Sequence, residues 1–359
     1  IGADGPTIID RRTVYEGFST FTVTQIANFD FPWSMAFLPD GRMLLTQKKG
    51  AMILFDPRSG ERRTLTGTPE VVSTNQGGLM DVALAPDFAR SRKIYFSYSE
   101  AGEGKTSGVV LASAVLDEAA GALHHVRVLF RSQPFVERAS SYSGRIALAP
   151  DGKHIFFTNG ERVQIAHAQD PRTTLGKVLR LDLDGRPARG NPLARRSFHP
   201  AIWTYGHRNL TGLAFDSRGR LWEAEMGPAG GDEVNLIRPG RNFGWPLASN
   251  GTNYDGSDIP DPRSGDGFEP PSVYWTPSLS PGSLAYHDGR LFPAWKDSLF
   301  VTGLSGMALV RIALDGETAT KADHWPMGMR LRNVRIGPDG AIWLLEDAGK
   351  GRMLQLTPK

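Results

Sequence analysis

The sequence predicts an all-β protein, a six-bladed β-propeller of four-stranded antiparallel sheets. Two observations carry this expectation. Gly and Pro are abundant, at 41 and 25 of 359 residues, and they separate short β-branched and aromatic runs. One phrase, an apolar strand followed by a Pro-Asp-Gly-like turn and a second apolar strand, recurs along the whole chain.

The first copy turns at Pro39-Asp40-Gly41 and leads into Met43-Leu44-Leu45. The second turns at Pro86-Asp87-Phe88 before Ile94-Tyr95-Phe96, and the third at Pro150-Asp151-Gly152 before Ile155-Phe156-Phe157. The fourth turns at Asp216-Ser217-Arg218-Gly219 before Leu221-Trp222, and a weaker fifth at His287-Asp288-Gly289. The sixth turns at Pro338-Asp339-Gly340 before Ile342-Trp343-Leu344. Asp-Gly supplies the positive φ angles of a tight turn, and Pro presets the approach to it. One hairpin cannot bury both of its faces. Six units of about 45 to 70 residues, each completed to four strands, bury them by packing radially around a channel.

A strand near residues 353–356 is expected to pair with one near 21–24, which closes the ring. Residues 1–17 read as an N-terminal arm and 18–359 as a single propeller domain. Long inserts at 158–170, 185–200 and 250–267 are the expected carriers of function, because extended loops on a rigid scaffold commonly hold it. The last is rich in Gly, Asp, Asn and Pro and reads as an ordered loop, with a bound metal as one means of ordering it.

Bulk properties exclude several classes. The net charge is +3, but Lys and Arg alternate with Asp and Glu, so no concentrated basic footprint for nucleic acid exists. No apolar run approaches the roughly 20 residues of a membrane span. The chain starts at Ile1 without a basic stretch leading into an apolar one, so a signal peptide is expected to have been removed or never present. With no Cys in the chain, the expected location is periplasmic or secreted. No dinucleotide fingerprint, zinc helix motif or nucleophile elbow is present. The fold alone does not choose a function.

Several segments are more specific. In order they are Gln76-Gly77-Gly78-Leu79-Met80-Asp81, Trp203-Thr204-Tyr205-Gly206-His207-Arg208-Asn209, Met226-Gly227-Pro228, Gly231-Asp232-Glu233-Val234-Asn235, Asn242-Phe243-Gly244-Trp245-Pro246 and Arg330-Leu331-Arg332-Asn333-Val334. In content and order they resemble the soluble glucose and aldose sugar dehydrogenases (glucose/sorbosone dehydrogenases) that use pyrroloquinoline quinone (PQQ) with calcium. The resemblance implies a six-bladed propeller that oxidises a small molecule, an aldose or a related alcohol. It implies that Arg208, Arg330 and Arg332 face the cofactor, whose three carboxylates and ortho-quinone suit planar guanidinium groups. It also makes Asn209 a polar cofactor contact, Gln76 a neighbour of the reacting sugar and Trp275 an aromatic wall. Gly227 and Pro228 would offer backbone carbonyls to a cofactor-side calcium, and Glu233 a carboxylate to a structural one.

The chain also departs from that pattern. The family's histidine base lies three residues before a Gly-Arg pair, and ahead of Gly144-Arg145 that position is Ser141. Ser140 replaces the preceding aspartate, Ser305 a lysine that contacts the quinone, and Met226 a polar residue. A serine hydroxyl is no general base near neutral pH without an activating group. Tyr142 is a candidate substitute, although a phenol ordinarily titrates near about 10. His207 is expected to be structural. The candidate catalytic set is therefore Gln76, Ser141, Tyr142 and Arg208. Three functions remain open at this stage: a PQQ-dependent dehydrogenase with an altered base, a PQQ-independent propeller enzyme (hydrolase, lyase or isomerase), and a non-catalytic propeller whose arginines hold an anionic ligand.

Overall fold

The computed structural model describes the backbone of Thr7–Ile9 and residues 21–359. The boundary expected between residues 17 and 18 lies outside the described residues.

Blade one is built from Pro32–Phe37, Met43–Gln47, Met52–Phe55 and Arg62–Thr64. Blade two follows with Leu79–Leu84, Lys93–Ala101, Ser107–Asp117 and Ala122–Arg131. Blade three uses Ser143–Leu148, His154–Asn159, Lys177–Asp182 and Ile202–Tyr205. Blade four uses Asn209–Phe215, Leu221–Met226, Asp232–Leu236 and Val273–Trp275. Blade five uses Pro281–His287, Ser298–Gly303, Ala308–Asp315 and Thr318–Pro326. Leu331–Ile336, Ile342–Glu346 and Gly351–Pro358 begin blade six, and Phe21–Phe29 completes it. The first strand of each blade touches the first strand of the next, and Leu331–Ile336 returns to Pro32–Phe37, so the array is a closed ring.

The six repeated phrases are the first two strands of the six blades. Their turns behave as the residues require: Gly152 has φ +66° and Gly340 φ +89°. The second copy has Phe88 in place of Gly and turns differently, through one helical turn, Phe88–Ser91, ended by Arg92 at φ 54°. Closure occurs where it was expected, with Val23 opposite Leu356 and Phe21 opposite Pro358. The backbone of Thr7–Ile9 adds a fifth strand outside Phe21–Phe29 in that blade. Among the described residues no helix is long and apolar enough to cross a membrane.

The middle strands read as unbroken apolar runs because neighbouring blades cover both of their faces. Met52–Phe55 is buried at every position, whereas the edge strand Arg62–Thr64 is exposed at every position. Six apolar clusters form at the blade junctions. One joins Leu44 and Leu54 of blade one to Ile94 and Phe96 of blade two. Another joins Phe300 and Leu309 of blade five to Leu344 and Leu354 of blade six. A third joins blade six back to blade one through Trp343, Leu345, Met35 and Met43. Each fully buried large apolar side chain contributes about 1.5–3 kcal/mol. The ring is therefore held mostly from blade to blade, and the first strands are left free to line the channel.

Candidate active site

The first strands all begin at the same end of the channel, and a cavity of about 270 Å³ lies there. Its wall draws on every blade: Trp33, Met80, Ser143, Asn209 and Thr211, Ser280, and Arg332. Gln76, Tyr142, Met226, Tyr254, Leu304 and Arg330 complete it. Five of the residues singled out from sequence, Gln76, Tyr142, Asn209, Arg330 and Arg332, thus share one wall.

Below the wall is a buried ionic network. Asp81 accepts hydrogen bonds from Ser34 Oγ (2.5 Å), Arg335 Nη2 (2.8 Å) and the Ile146 backbone N–H (2.9 Å). Arg145 Nη1 lies 3.6 Å from Asp81, close enough for an ion pair but too far for a hydrogen bond. Burial opposes ionisation of Asp81, but Arg335 and Arg145 outweigh it and hold the carboxyl below its usual range. Burial lowers Arg145 to about 9, an effect that Asp81 partly offsets. The Arg145 guanidinium also lies over the Trp33 ring, 4.0 Å from its centroid. At the rim Arg330 and Arg332 both donate to Asp347 Oδ2, at 3.0 and 3.1 Å. Among the described residues Arg145, Arg330, Arg332 and Arg335 are paired with Asp81 and Asp347 alone, and the surplus is positive. Arg145 Nη1, Arg208 Nε and Arg332 Nε are buried donors without an acceptor.

Arg208 lies beside the cavity, where it faces a smaller pocket that it lines with Gly227 and Glu233. Its Nη1 donates to the Gly227 carbonyl (2.6 Å) and its Nη2 to the Tyr254 hydroxyl (3.1 Å). Tyr254 comes from the 250–267 insert, which is ordered by pairing of Gly251–Thr252 with Ala229–Gly230 and by burial of Ile259 against Trp245 and Ala168. Asp232 fixes the 227–231 turn, accepting from the backbone N–H of Gly227 (2.8 Å) and of Ser280 (2.6 Å). Pro228 follows Gly227 in that turn and lines neither pocket.

Glu233 belongs to a buried acidic cluster on blade four. The Asn235 amide donates to Glu223, Glu225 and Glu233, each at 3.2 Å. Burial, reinforced by the charge of Glu225, raises both Glu223 and Glu233 well above the usual glutamate range. His207 bridges Thr204 Oγ1 and Glu225 Oε1, both at 2.9 Å, and stacks on Phe243. It is buried and fully partnered, as a structural role requires.

Three candidates stand differently from the sequence expectation. Trp275 does not wall the cavity: it is buried in the junction of blades four and five, with Lys321 Nζ 4.8 Å from its ring centroid. Trp33, Tyr142 and Tyr254 provide the aromatic surface instead. Tyr142 lines the cavity, but its hydroxyl is turned to Ser107 Oγ at 2.8 Å and its ring lies beneath Arg162. Ser141 sits one layer behind the wall, its N–H bonded to Gln76 Oε1 at 2.8 Å. Ser305 stands near the rim, bonded through its hydroxyl to Ser280 at 2.6 Å.

The model of the family described as Glucose / Sorbosone dehydrogenase matches residues 29–355. The chain belongs to the glucose/sorbosone dehydrogenase family. Among family members, aldose sugar dehydrogenase YliI of Escherichia coli (strain K12) is 37% identical over 338 residues, covering 92% of this chain and 91% of that protein. The crystal structure of the soluble aldose sugar dehydrogenase of Escherichia coli in its apo-form has a TM-score of 0.90 at 35% identity, over 95% of this chain and 100% of that one. The PQQ-bound form of an aldose sugar dehydrogenase from Streptomyces coelicolor has a TM-score of 0.77 at 29% identity, over 99% of this chain and 98% of that one.

In this family member the sequence motifs left Trp33, Arg145, Tyr254 and Asp347 unmarked. A signal for Trp33 was present: Trp33, Met80 and Arg332 each stand six residues before the turn prolines Pro39, Pro86 and Pro338. Superposing the repeats on one another places all three at the same level of the channel. Tyr254 lies in an irregular insert and has no such marker.

Proposed function

We propose that this protein is a PQQ- and calcium-dependent dehydrogenase of aldose sugars or related alcohols, working in the periplasm or outside the cell, with an altered proton acceptor. The single observation that carries the reading is the surplus of guanidinium charge at a cavity of small-molecule size, about 270 Å³, with Arg332 on its wall and Arg208 beside it each holding a buried nitrogen without an acceptor. A flat tricarboxylate supplies what those donors lack. Arg330, Arg332 and Arg208 would hold the carboxylates, and Asn209 would supply a further polar contact.

The acidic cluster supports calcium in the same way. Glu223, Glu225 and Glu233 bring three carboxyls together in a buried place with one amide between them, and Glu223 Oε1 has no partner. A hard divalent cation relieves that repulsion through oxygen ligands. The Gly227 carbonyl would serve the cofactor-side ion once Arg208 turns towards a carboxylate and releases it.

PQQ when bound supplies a two-electron acceptor. The chain's own part is orientation and exclusion of water. Gln76 is pinned by Ser141 N–H and faces the space where a sugar hydroxyl would sit, while Trp33 and Tyr254 flank it with apolar ring surface. The guanidinium groups are pre-positioned by Asp347 and by the network around Asp81, so little side-chain freedom is lost on binding.

Calorimetric titration of metal-stripped protein with PQQ, with and without calcium, followed by dye reduction over a panel of aldoses, tests the proposal. Calcium-dependent binding with turnover, both abolished in Arg332→Ala and Arg208→Ala, is expected. No PQQ binding overturns it. Saturable capture of another polycarboxylate without turnover would instead favour an anion-binding propeller.

A further inference from the structure

Oxidation of an alcohol to a carbonyl must release a proton as well as a hydride, and among the described residues the cavity wall holds no carboxylate and no histidine to receive it. The two phenols on the wall are engaged, Tyr142 with Ser107 and Tyr254 with Arg208. The acceptor has to stand behind the wall. Of the carboxyls there, Asp81 and Asp232 are filled by hydrogen bonds, Asp347 is paired with two arginines, and Glu225 is bonded by His207 and the Arg208 N–H. Glu161 differs. It is 1% exposed, and its Oε2 has no partner.

Glu161 also has a route to the cavity. The segment around Glu161 packs on the segment around Ser141, with Ser143 opposite Asn159 across blade three and Arg162 Nε bonded to the Ser140 carbonyl, and Ser141 is bonded to the lining residue Gln76 and precedes the lining residues Tyr142 and Ser143. The surrounding backbone is held in an uncommon shape, with φ of 51° at Ser141, 65° at Ser143, 60° at Arg162 and 57° at Val163. Strain of this kind persists where the environment over-determines it, and it clusters at functional sites. The clamps are visible. A Cβ on Gly160 would lie 1.9 Å from the Ser141 carbonyl oxygen, Glu161 N–H bonds the Arg208 carbonyl (2.9 Å), and Arg162 Nε bonds the Ser140 carbonyl (2.9 Å).

We infer that Glu161 is the proton acceptor of this site, acting through the Ser141 hydroxyl as a two-step relay. The inference rests on the dehydrogenase reading above. In the step, the Gln76 amide turns aside to open Ser141 Oγ to the cavity; the substrate O–H bond breaks and its proton passes to Ser141 Oγ, while the Ser141 proton passes to the Glu161 carboxylate. The hydride leaves the same carbon for the ortho-quinone oxidant, so the alcohol loses two electrons and two hydrogens and becomes a carbonyl. The groups facing Glu161 suit the role. Burial raises its pKa from the usual glutamate value, the Arg208 charge limits the rise, and Arg162 is the other nearby cation. A carboxylate shifted towards neutrality is a better base than an exposed one. Glu161 is a positioning and proton-holding residue, because it reaches substrate only through Ser141.

The test begins with the wild type. If it fails to bind PQQ, the dehydrogenase reading falls and takes the relay with it, before any variant is made. With wild-type binding and turnover in place, Glu161→Gln should lower turnover at neutral pH at least about 100-fold while changing PQQ affinity less than threefold. Ser141→Ala should also lower turnover, and the double variant should be no slower than Glu161→Gln alone, as for groups that act as a unit. Glu161→Asp should retain turnover but shift the acidic limb of its pH profile. In the cofactor-free protein, the carboxyl carbon resonance that Glu161→Gln removes should titrate above the exposed glutamates and move higher still in Ser141→Ala. Turnover in Glu161→Gln within threefold of wild type overturns the relay alone, as does a Glu161 carboxyl that titrates with the exposed glutamates. Should Glu161→Gln fail to fold, Ser141→Ala decides: wild-type turnover overturns the proposal.

Discussion

Replacing Asp81 with alanine should destabilise the ring from its centre. Asp81 is 1% exposed and binds Ser34, Arg335 and the Ile146 N–H, joining blades one, two, three and six in one network. Its removal leaves Arg145, 2% exposed, without a counter-ion. Breaking a buried pair by deleting one partner costs about 3–5 kcal/mol. Unfolding entropy of about 2.1 cal/mol/K per residue gives a chain of 359 residues roughly 0.75 kcal/mol/K. The expected fall in Tm is therefore about 4–7 °C, read by calorimetry at fixed pH and fixed calcium. The effect also has a pH signature. The folded carboxyl is held below its unfolded value, so its contribution is complete above the ordinary aspartate pKa of about 3.9 and is lost as pH falls through the depressed folded value. The gap between wild type and Asp81→Asn should hence be widest above about pH 5 and close in acid. A Tm within 1 °C of wild type for Asp81→Ala would refute the network's role.

Three further outcomes are expected. Lys177 is fully buried against the carbonyls of His167, Ala168 and Leu175, and burial lowers it to about 7. Because its folded pKa lies below the unfolded value of about 10.4, wild-type stability should gain on that of Lys177→Met as pH rises through that window, as Tm against pH would show. With calcium at about a hundredfold its Kd, chelation should remove about 2.7 kcal/mol, a Tm loss of about 3–4 °C. Glu233→Gln should abolish that difference. Gly160→Ala drives a methyl into the Ser141 carbonyl oxygen, so it should cost about 1–3 kcal/mol in denaturant titration and lower turnover more than PQQ affinity.

The propeller and its closure were legible in the sequence because they depend on local pattern. A turn such as Pro338-Asp339-Gly340 between apolar strands specifies its hairpin wherever it occurs, and six copies leave one economical way to bury their faces. Arg330, Arg332 and Asn209 were legible through motif order, and they do share a wall. Trp275 was expected as an aromatic wall from the resemblance alone, and motif order does not reveal which side of the strand a ring occupies. Here Asp232 pairs with it across the sheet, and the ring turns into the core. Only the tertiary structure decided the rest. Glu161 lies 20 positions from Ser141 in the chain and is brought to it by the pairing of Ser143 with Asn159 across blade three. Asp81 of blade two meets Arg335 of blade six past the first strand of blade one, because ring closure sets the first strands of blades six and one side by side. By itself the sequence determined the hairpins, their number and the family. Burial, the choice of counter-ion and the carboxyl oxygens left without partners depend on distances within and between blades, which no local pattern encodes.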